Sequence, residues 1–186
     1  MTDETVPAPA SGRRLHVPIP LRWGDLDALG HVNNTSMLKL LEEARLRAFW
    51  RPEDGTDAAP TAVFDMSVLE GGGTQATLIA RQEIEYLRPV PYGQRPLDVQ
   101  LWIGGIGGSS VEVCYEVFSP QWGSAPNPRL ADAHPRGEQP QTLYARATAV
   151  VVLVDTSSGR PTRWGSAVRT AWAPFVGEPI VYGRRR

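Results

Sequence analysis

The chain has 186 residues, of which 41% are hydrophobic and 21% are charged. This composition is typical of a globular protein and excludes a disordered or fibrous chain, and the length suits one domain with a sizeable core. Lysine and arginine number 19 against 20 aspartates and glutamates, which leaves a net charge of -1. No bulk positive field therefore attracts nucleic acid or acidic lipid, and a specific small ligand is the class of partner left open.

No apolar stretch approaches the roughly 20 residues that span a bilayer, and the longest apolar run, at 147–154, is interrupted by Thr148. The N-terminal segment contains Asp3 and Glu4 where a signal peptide needs positive charge, and no apolar region follows it. We therefore expect a cytoplasmic protein with no membrane segment. The single cysteine, Cys114, excludes an intramolecular disulfide, and its place in an apolar strand pattern indicates an inert core thiol.

The predicted elements begin with a short edge strand at 17–21, where Pro18 and Pro20 forbid a central position in a sheet. A helix is predicted at about 34–50, because apolar residues recur there at helical spacing and Asn33 or Asn34 is a good N-cap. A wide apolar face suits a helix wrapped by a sheet. The centre of this face consists of Met37, Leu40, Leu41, Ala44 and Ala48.

Alternating apolar and polar residues predict four longer strands after the helix and a loop. The loop is at 51–62, and the strands are at 80–87, 97–103, 111–117 and 143–154. One helix followed by antiparallel strands is an α+β arrangement, in which a curled sheet of about five strands wraps around the helix.

Composition also divides the chain into a folded domain, two flanking segments and an insert. We expect a flexible N-terminus at 1–15, the folded domain at 16–161, and a C-terminal extension of unassigned role at 162–186. A proline-containing stretch of low hydrophobicity at 119–140 predicts a mobile insert within the domain.

Polar residues are concentrated just before the predicted helix. They are Asp25, Asp27, His31, Asn33 and Asn34. The free N–H groups and the positive end of a helix dipole can stabilise an oxyanion at such a place. The same residue types also serve ordinary turns and caps, so the pattern by itself leaves a catalytic and a structural interpretation open.

Residues 22–45 read RWGDLDALGHVNNTSMLKLLEEAR and closely resemble the entrance to the helix in hot-dog-fold thioesterases of the hydroxybenzoyl-CoA thioesterase type. Residues 80–118 resemble the strand, turn and paired strands that follow in that family, including its Tyr-x-Arg-Pro-Val run at 86–90. Residues 144–161, YARATAVVVLVDTSSGRP, resemble its last long strand. The resemblance covers about 16–161 apart from the insert, and it implies a hot-dog fold and an acyl-CoA thioesterase.

The resemblance also implies roles for residues at the helix entrance. Asp27 matches the catalytic carboxylate, which acts as base or nucleophile, and His31 matches a histidine of related acyl-carrier-protein thioesterases. Those relatives have an asparagine where this chain has Leu29, so His31 is expected to assist catalysis and not to be the primary catalytic group. The predicted oxyanion and substrate-binding residues are Gly30, Asn33, Asn34 and Thr35. Glu43 resembles the helix carboxylate of a second branch of the fold and is an alternative acid, although an i,i+4 pair with Lys39 or Arg47 is its ordinary interpretation.

Three arginines, Arg81, Arg88 and Arg95, are candidate contacts for the phosphates of coenzyme A, with solvated strand-edge arginines as the alternative. No metal is expected, because the three histidines are far apart and no ligand spacing appears, and no cofactor is expected.

We expect an acyl-CoA or acyl-carrier-protein substrate, and an acyl channel near Met37, Leu38 and Leu41. A homodimer or tetramer is expected because an open sheet leaves an unpaired edge. A non-catalytic acyl-binding module and a hot-dog dehydratase are the alternative functions. The dehydratase is disfavoured because no proline lies between Asp25 or Asp27 and His31.

Overall fold

The computed structural model describes residues 12–52, 58–65, 73–120 and 141–183. Most of the N-terminus and nearly all of the insert for which the sequence predicts mobility lie outside these ranges. In chain order the elements are β1 (Leu15–Ile19), α1 (Asn34–Phe49), β2 (Gln75–Tyr86), β3 (Leu97–Ile106), β4 (Ser110–Phe118), β5 (Leu143–Asp155) and α2 (Ser166–Trp172).

The five strands form one antiparallel sheet in the order β1-β3-β4-β5-β2. The proline-containing β1 lies at one edge, as the sequence predicts, because a proline cannot donate to a ladder. Strand β5 pairs on both sides, with β4 and β2, so it lies inside the sheet. The predicted α+β class and the antiparallel sheet of five strands are confirmed.

Helix α1 lies against the inner face of the sheet. Its N-cap is Asn33, and its buried residues include all five that the sequence places at the centre of the apolar face. They join a single core with inward-facing side chains of β3, β4 and β5, such as Leu101, Tyr115 and Ala147. The curled sheet around one long helix is the hot-dog arrangement.

The edge strand β2 begins five residues earlier than the sequence predicts. Its pairing with β5 shifts register between Ile79 and Arg81, so the strand carries a bulge at Ala80. An inserted residue moves every following side chain to the opposite face. The alternating pattern is therefore continuous only from residue 80 onwards, which is where the predicted strand starts.

The segment after residue 161 belongs to the same core. Trp164, Trp172 and Phe175 are buried there, and the indole N–H of Trp172 donates to the carbonyl oxygen of Thr61 at 3.0 Å. Trp172 also packs on Phe49 at the end of α1, with 5.2 Å between ring centroids. Residues to which the sequence assigns no role therefore close one end of the core. Nowhere in the described ranges is a helix both long and apolar enough to cross a membrane.

Residues 177–183, here called the C-terminal strap, cross the outer face of the sheet. The indole N–H of Trp102 on β3 donates to Glu178 O at 2.8 Å, and the Tyr182 hydroxyl donates to Glu83 O on β2 at 3.1 Å. Between these strands the Cys114 side chain is buried, and this burial raises the pKa of its thiol to about 11. A thiol with that pKa stays protonated at neutral pH, as expected of an inert core cysteine.

Candidate active site

Asp27 begins a tight turn that ends at Gly30. One carboxylate oxygen, Oδ1, accepts the backbone N–H of Leu29 at 2.8 Å and that of His31 at 3.2 Å. The Asp27 N–H donates to His31 O at 2.8 Å, and Gly30 has a φ of 77°, which favours glycine. Within the described ranges Oδ2 of Asp27 has no hydrogen bond. The turn therefore holds the carboxylate by one oxygen and leaves the other available to a reactant.

The neighbouring Asp25 has a different place. It is buried, its Oδ2 accepts the Arg22 N–H at 2.7 Å, and its carbonyl oxygen accepts the Asn33 N–H at 2.8 Å. These bonds hold the chain before and after the turn. Asp25 is therefore a structural member of the pair, whereas Asp27 faces a pocket.

The entrance to α1 is capped from within. Oδ1 of Asn33 accepts both the backbone N–H of Thr35 at 2.8 Å and its hydroxyl at 2.6 Å. The first N–H groups of a helix have no partner inside it. Because the cap uses Thr35, the N–H groups of Asn34 and Ser36 are the ones left for a ligand in the first turn. Ser36 is a donor that the sequence prediction omits.

A pocket of about 260 Å³ joins the turn, the helix entrance and the end of β2. It is lined by Asp27, His31, Val32, Asn34, Met37 and residues 86–90. The structure thus brings together five of the residues that the sequence names: Asp27, His31, Asn34, Met37 and Arg88. Asn33 and Thr35 form the cap beside it, Gly30 forms the turn, and the predicted channel residue Leu41 is buried further along the helix.

The other wall of the pocket comes from the Tyr-x-Arg-Pro-Val run. The Tyr86 hydroxyl donates to Asn34 O at 3.0 Å, and partial burial raises the pKa of Tyr86. The N–H of Val32 donates to Val90 O at 2.9 Å, so the turn is tied to the same run. The sequence prediction uses this run only as a family marker and misses Tyr86 as a member of the site. The Tyr-x-Arg-Pro-Val run is itself the sequence signal from which Tyr86 could have been identified.

Of the three candidate arginines, Arg88 is the one that lines this pocket. Arg88 also donates to Leu143 O at 2.9 Å. Arg81 lies further from the pocket on β2 and pairs with Glu83 at 2.6 Å, since residues two positions apart in a strand lie on the same face. Arg95 lines a separate pocket of about 230 Å³ with His16.

The alternative carboxylate, Glu43, lies away from the pocket. Its Oε1 accepts the Arg47 guanidinium N–H at 2.8 Å, and Arg47 also donates to Pro18 O at 3.0 Å. This is the i,i+4 pair of an exposed helix face, the ordinary interpretation of that charge pattern. Across the described ranges, no group of three or more acidic, histidine or cysteine side chains is placed to hold a metal ion.

A family model for the thioesterase-like superfamily matches residues 21–172. The chain belongs to the thioesterase-like superfamily. Membership confirms the family resemblance and the hot-dog fold, and it identifies the protein as a thioester hydrolase. The matched range includes the Asp27 turn, the helix entrance and the buried Trp164 and Trp172, so it extends past the domain end expected at 161.

Two of the solved structures similar to this enzyme are named as thioesterases. A Thermus thermophilus thioesterase complexed with coenzyme A and Zn is 28% identical, covers 89% of this chain and 95% of its own, and has a TM-score of 0.57. A 1,4-dihydroxy-2-naphthoyl-CoA thioesterase from Synechocystis is 18% identical over 86% of this chain and 94% of its own, with a TM-score of 0.58. At that identity it shows the fold alone. No curated protein matches the enzyme.

Proposed function

We propose that this enzyme hydrolyses acyl-CoA thioesters with the Asp27 carboxylate as its base or nucleophile. The observation that carries the proposal is the Asp27 side chain itself, held by Oδ1 in the turn and open at Oδ2 beside the first turn of α1. A family of thioester hydrolases and a similar structure complexed with coenzyme A support the substrate class.

Hydrolysis needs a base or nucleophile and an oxyanion donor from the site. In one route Oδ2 of Asp27 takes a proton from a water molecule whose oxygen attacks the thioester carbon. In the other route Oδ2 attacks that carbon itself and forms an acyl anhydride, which water then hydrolyses to the free acid. The Asn34 N–H, at the positive end of the helix dipole, donates to the carbonyl oxygen and stabilises the negative charge that develops on it. The thiolate then leaves with little help from an acid. His31 lines the same pocket and orients substrate or water, and Met37 offers an apolar wall to the acyl group.

The experiment that tests this function measures free thiol released from short, long and aromatic acyl-CoAs, with an acyl carrier protein thioester alongside. We expect release from at least one acyl-CoA class, dependent on Asp27. Binding of acyl-CoA without release would support the acyl-binding module instead. Thiol release from the acyl carrier protein thioester alone would show that the carrier is acyl carrier protein and not coenzyme A.

We further propose that Arg88 binds a phosphate of coenzyme A. One N–H of its guanidinium donates to Leu143 O, and the side chain is exposed at the pocket. Arg88→Ala should raise KM about three- to tenfold and leave kcat nearly unchanged, because an exposed charge contact that is equal in ground and transition states contributes only binding. Arg81→Ala is the matched control, since Arg81 pairs with Glu83 on the other face. An unchanged KM in Arg88→Ala would contradict the assignment.

A homo-oligomer paired through β2 is part of the proposal. Strand β2 has 12 residues and contains no proline, and within the described ranges it pairs only with β5 and exposes Leu78 and Ile79. The opposite edge strand, β1, is short and contains Pro18. A long unprotected edge pairs readily with another strand. Sedimentation velocity should give the mass of two or four chains, and a monodisperse, fully active monomer would contradict this prediction.

A further inference from the structure

The segment 86–90 holds both halves of the site. Val90 O accepts the Val32 N–H at 2.9 Å, which ties the Asp27 turn to this segment. The Tyr86 hydroxyl donates to Asn34 O at 3.0 Å, which ties the first turn of α1 to it. The carboxylate and the helix N–H groups are therefore both placed relative to one short piece of backbone.

That piece of backbone is itself anchored in the sheet. The N–H groups of Leu87 and Arg88 both donate to Tyr144 O, at 2.8 and 3.0 Å. The Asn33 cap, by contrast, is local to the helix and cannot fix the helix relative to the sheet. The Tyr86 hydroxyl links residues 52 positions apart in sequence, so it is a second tie, beside the Val32–Val90 bond, between the helix entrance and the sheet at the pocket.

We propose that Tyr86 is a positioning residue for thioester hydrolysis, which sets the Asn34 N–H at its working distance from the Asp27 carboxylate. This inference rests on the proposed function. Tyr86 acts through the helix turn: its hydroxyl donates to the carbonyl oxygen of Asn34, and the N–H of the same residue is the proposed donor to the thioester oxygen. A hydroxyl that stays protonated is required, and the raised pKa of Tyr86 keeps it a donor across neutral pH.

Tyr86→Phe tests the proposal because it removes only the hydroxyl oxygen. The ring stays in place at the pocket mouth, where 42% of the side chain is exposed. We expect kcat to fall about tenfold with KM within about twofold, since small misplacement of a transition-state donor lowers turnover rather than binding. Tyr92→Phe is the matched control: Tyr92 is 41% exposed and its hydroxyl forms no hydrogen bond within the described ranges.

A second readout does not depend on turnover. In the first turn of α1, at 34–37, the N–H groups of Thr35 and Met37 are hydrogen-bonded to Asn33. Amide hydrogen exchange of these two residues should become faster in Tyr86→Phe and stay unchanged in Tyr92→Phe. Wild-type kcat together with unchanged exchange would overturn the inference. A lower melting temperature with wild-type kcat would also overturn it, because a merely structural tyrosine behaves in that way. If the wild type releases no thiol, the proposed function fails, and faster exchange at 34–37 still supports the positioning contact.

Discussion

Replacing Asp27 by asparagine should lower kcat by about 10² to 10⁴ while the protein stays folded, which is the usual contribution of a positioned base. The fold should persist because an asparagine Oδ1 can still accept the N–H groups of Leu29 and His31 that close the turn. Only Oδ2 changes, from a carboxylate oxygen to an amide nitrogen. Thiol release measures kcat, and circular dichroism with thermal melting checks the fold.

Asp25→Asn is the matched control for this variant. Asp25 is two residues away, buried, and bonded to the Arg22 N–H, and it does not line the pocket. An asparagine can make the same bond, so kcat should change far less than in Asp27→Asn. His31→Ala should give an intermediate loss if the ring only orients substrate or water, and a loss equal to that of Asp27→Asn if it is an obligate proton carrier. Near wild-type turnover in folded Asp27→Asn would remove the mechanism and make Glu43→Gln the next variant to measure.

Trp172→Ala should lower the free energy of unfolding by about 3–5 kcal/mol, the usual cost of deleting a buried large aromatic side chain. Trp172 is 1% exposed and packs on Phe49 and Trp164, with ring centroids 5.2 and 5.1 Å away. Its removal also leaves Thr61 O without the indole N–H at 3.0 Å. Denaturation by urea at fixed protein concentration measures the change.

Trp23→Ala is the control for that prediction. Trp23 is 76% exposed and contacts Tyr92 edge to face at 5.3 Å, so its removal should cost no more than about 1 kcal/mol. If Trp172→Ala does not fold, Trp172→Phe keeps most of the packing and removes the indole donor, and it should lose less. Equal stability of Trp172→Ala and Trp23→Ala would show that the C-terminal segment adds nothing to the core.

Helix α1 and the five strands were predictable because each has a local signal. Helix α1 was placed within a residue of its observed ends, since both its cap, Asn33, and its apolar spacing lie in the chain itself. The start of β2 was missed because the bulge at Ala80 breaks the alternation on which the prediction depends. The helix α2 and the strap carry too little periodic pattern to be recognised, and their place follows from packing alone.

Part of the site was also predictable. Asp27, His31 and Asn34 lie within one short segment, and the resemblance to thioesterases assigned them as a group. Tyr86 and Arg88 belong to the Tyr-x-Arg-Pro-Val run, which marks the family but does not show that these two side chains reach the pocket. Only their contacts do so.

The sequence by itself determined helix α1, the five strands, the family and the segment that carries the carboxylate, because turns, caps and apolar periodicity depend on near neighbours in the chain. The tertiary structure decided which of two aspartates faces a pocket, which of three arginines reaches it, and that Tyr86 bonds to Asn34. It also decided that residues after 161 complete the core. These are contacts between residues tens of positions apart, and their free energy depends on packing and register that one stretch of sequence does not specify.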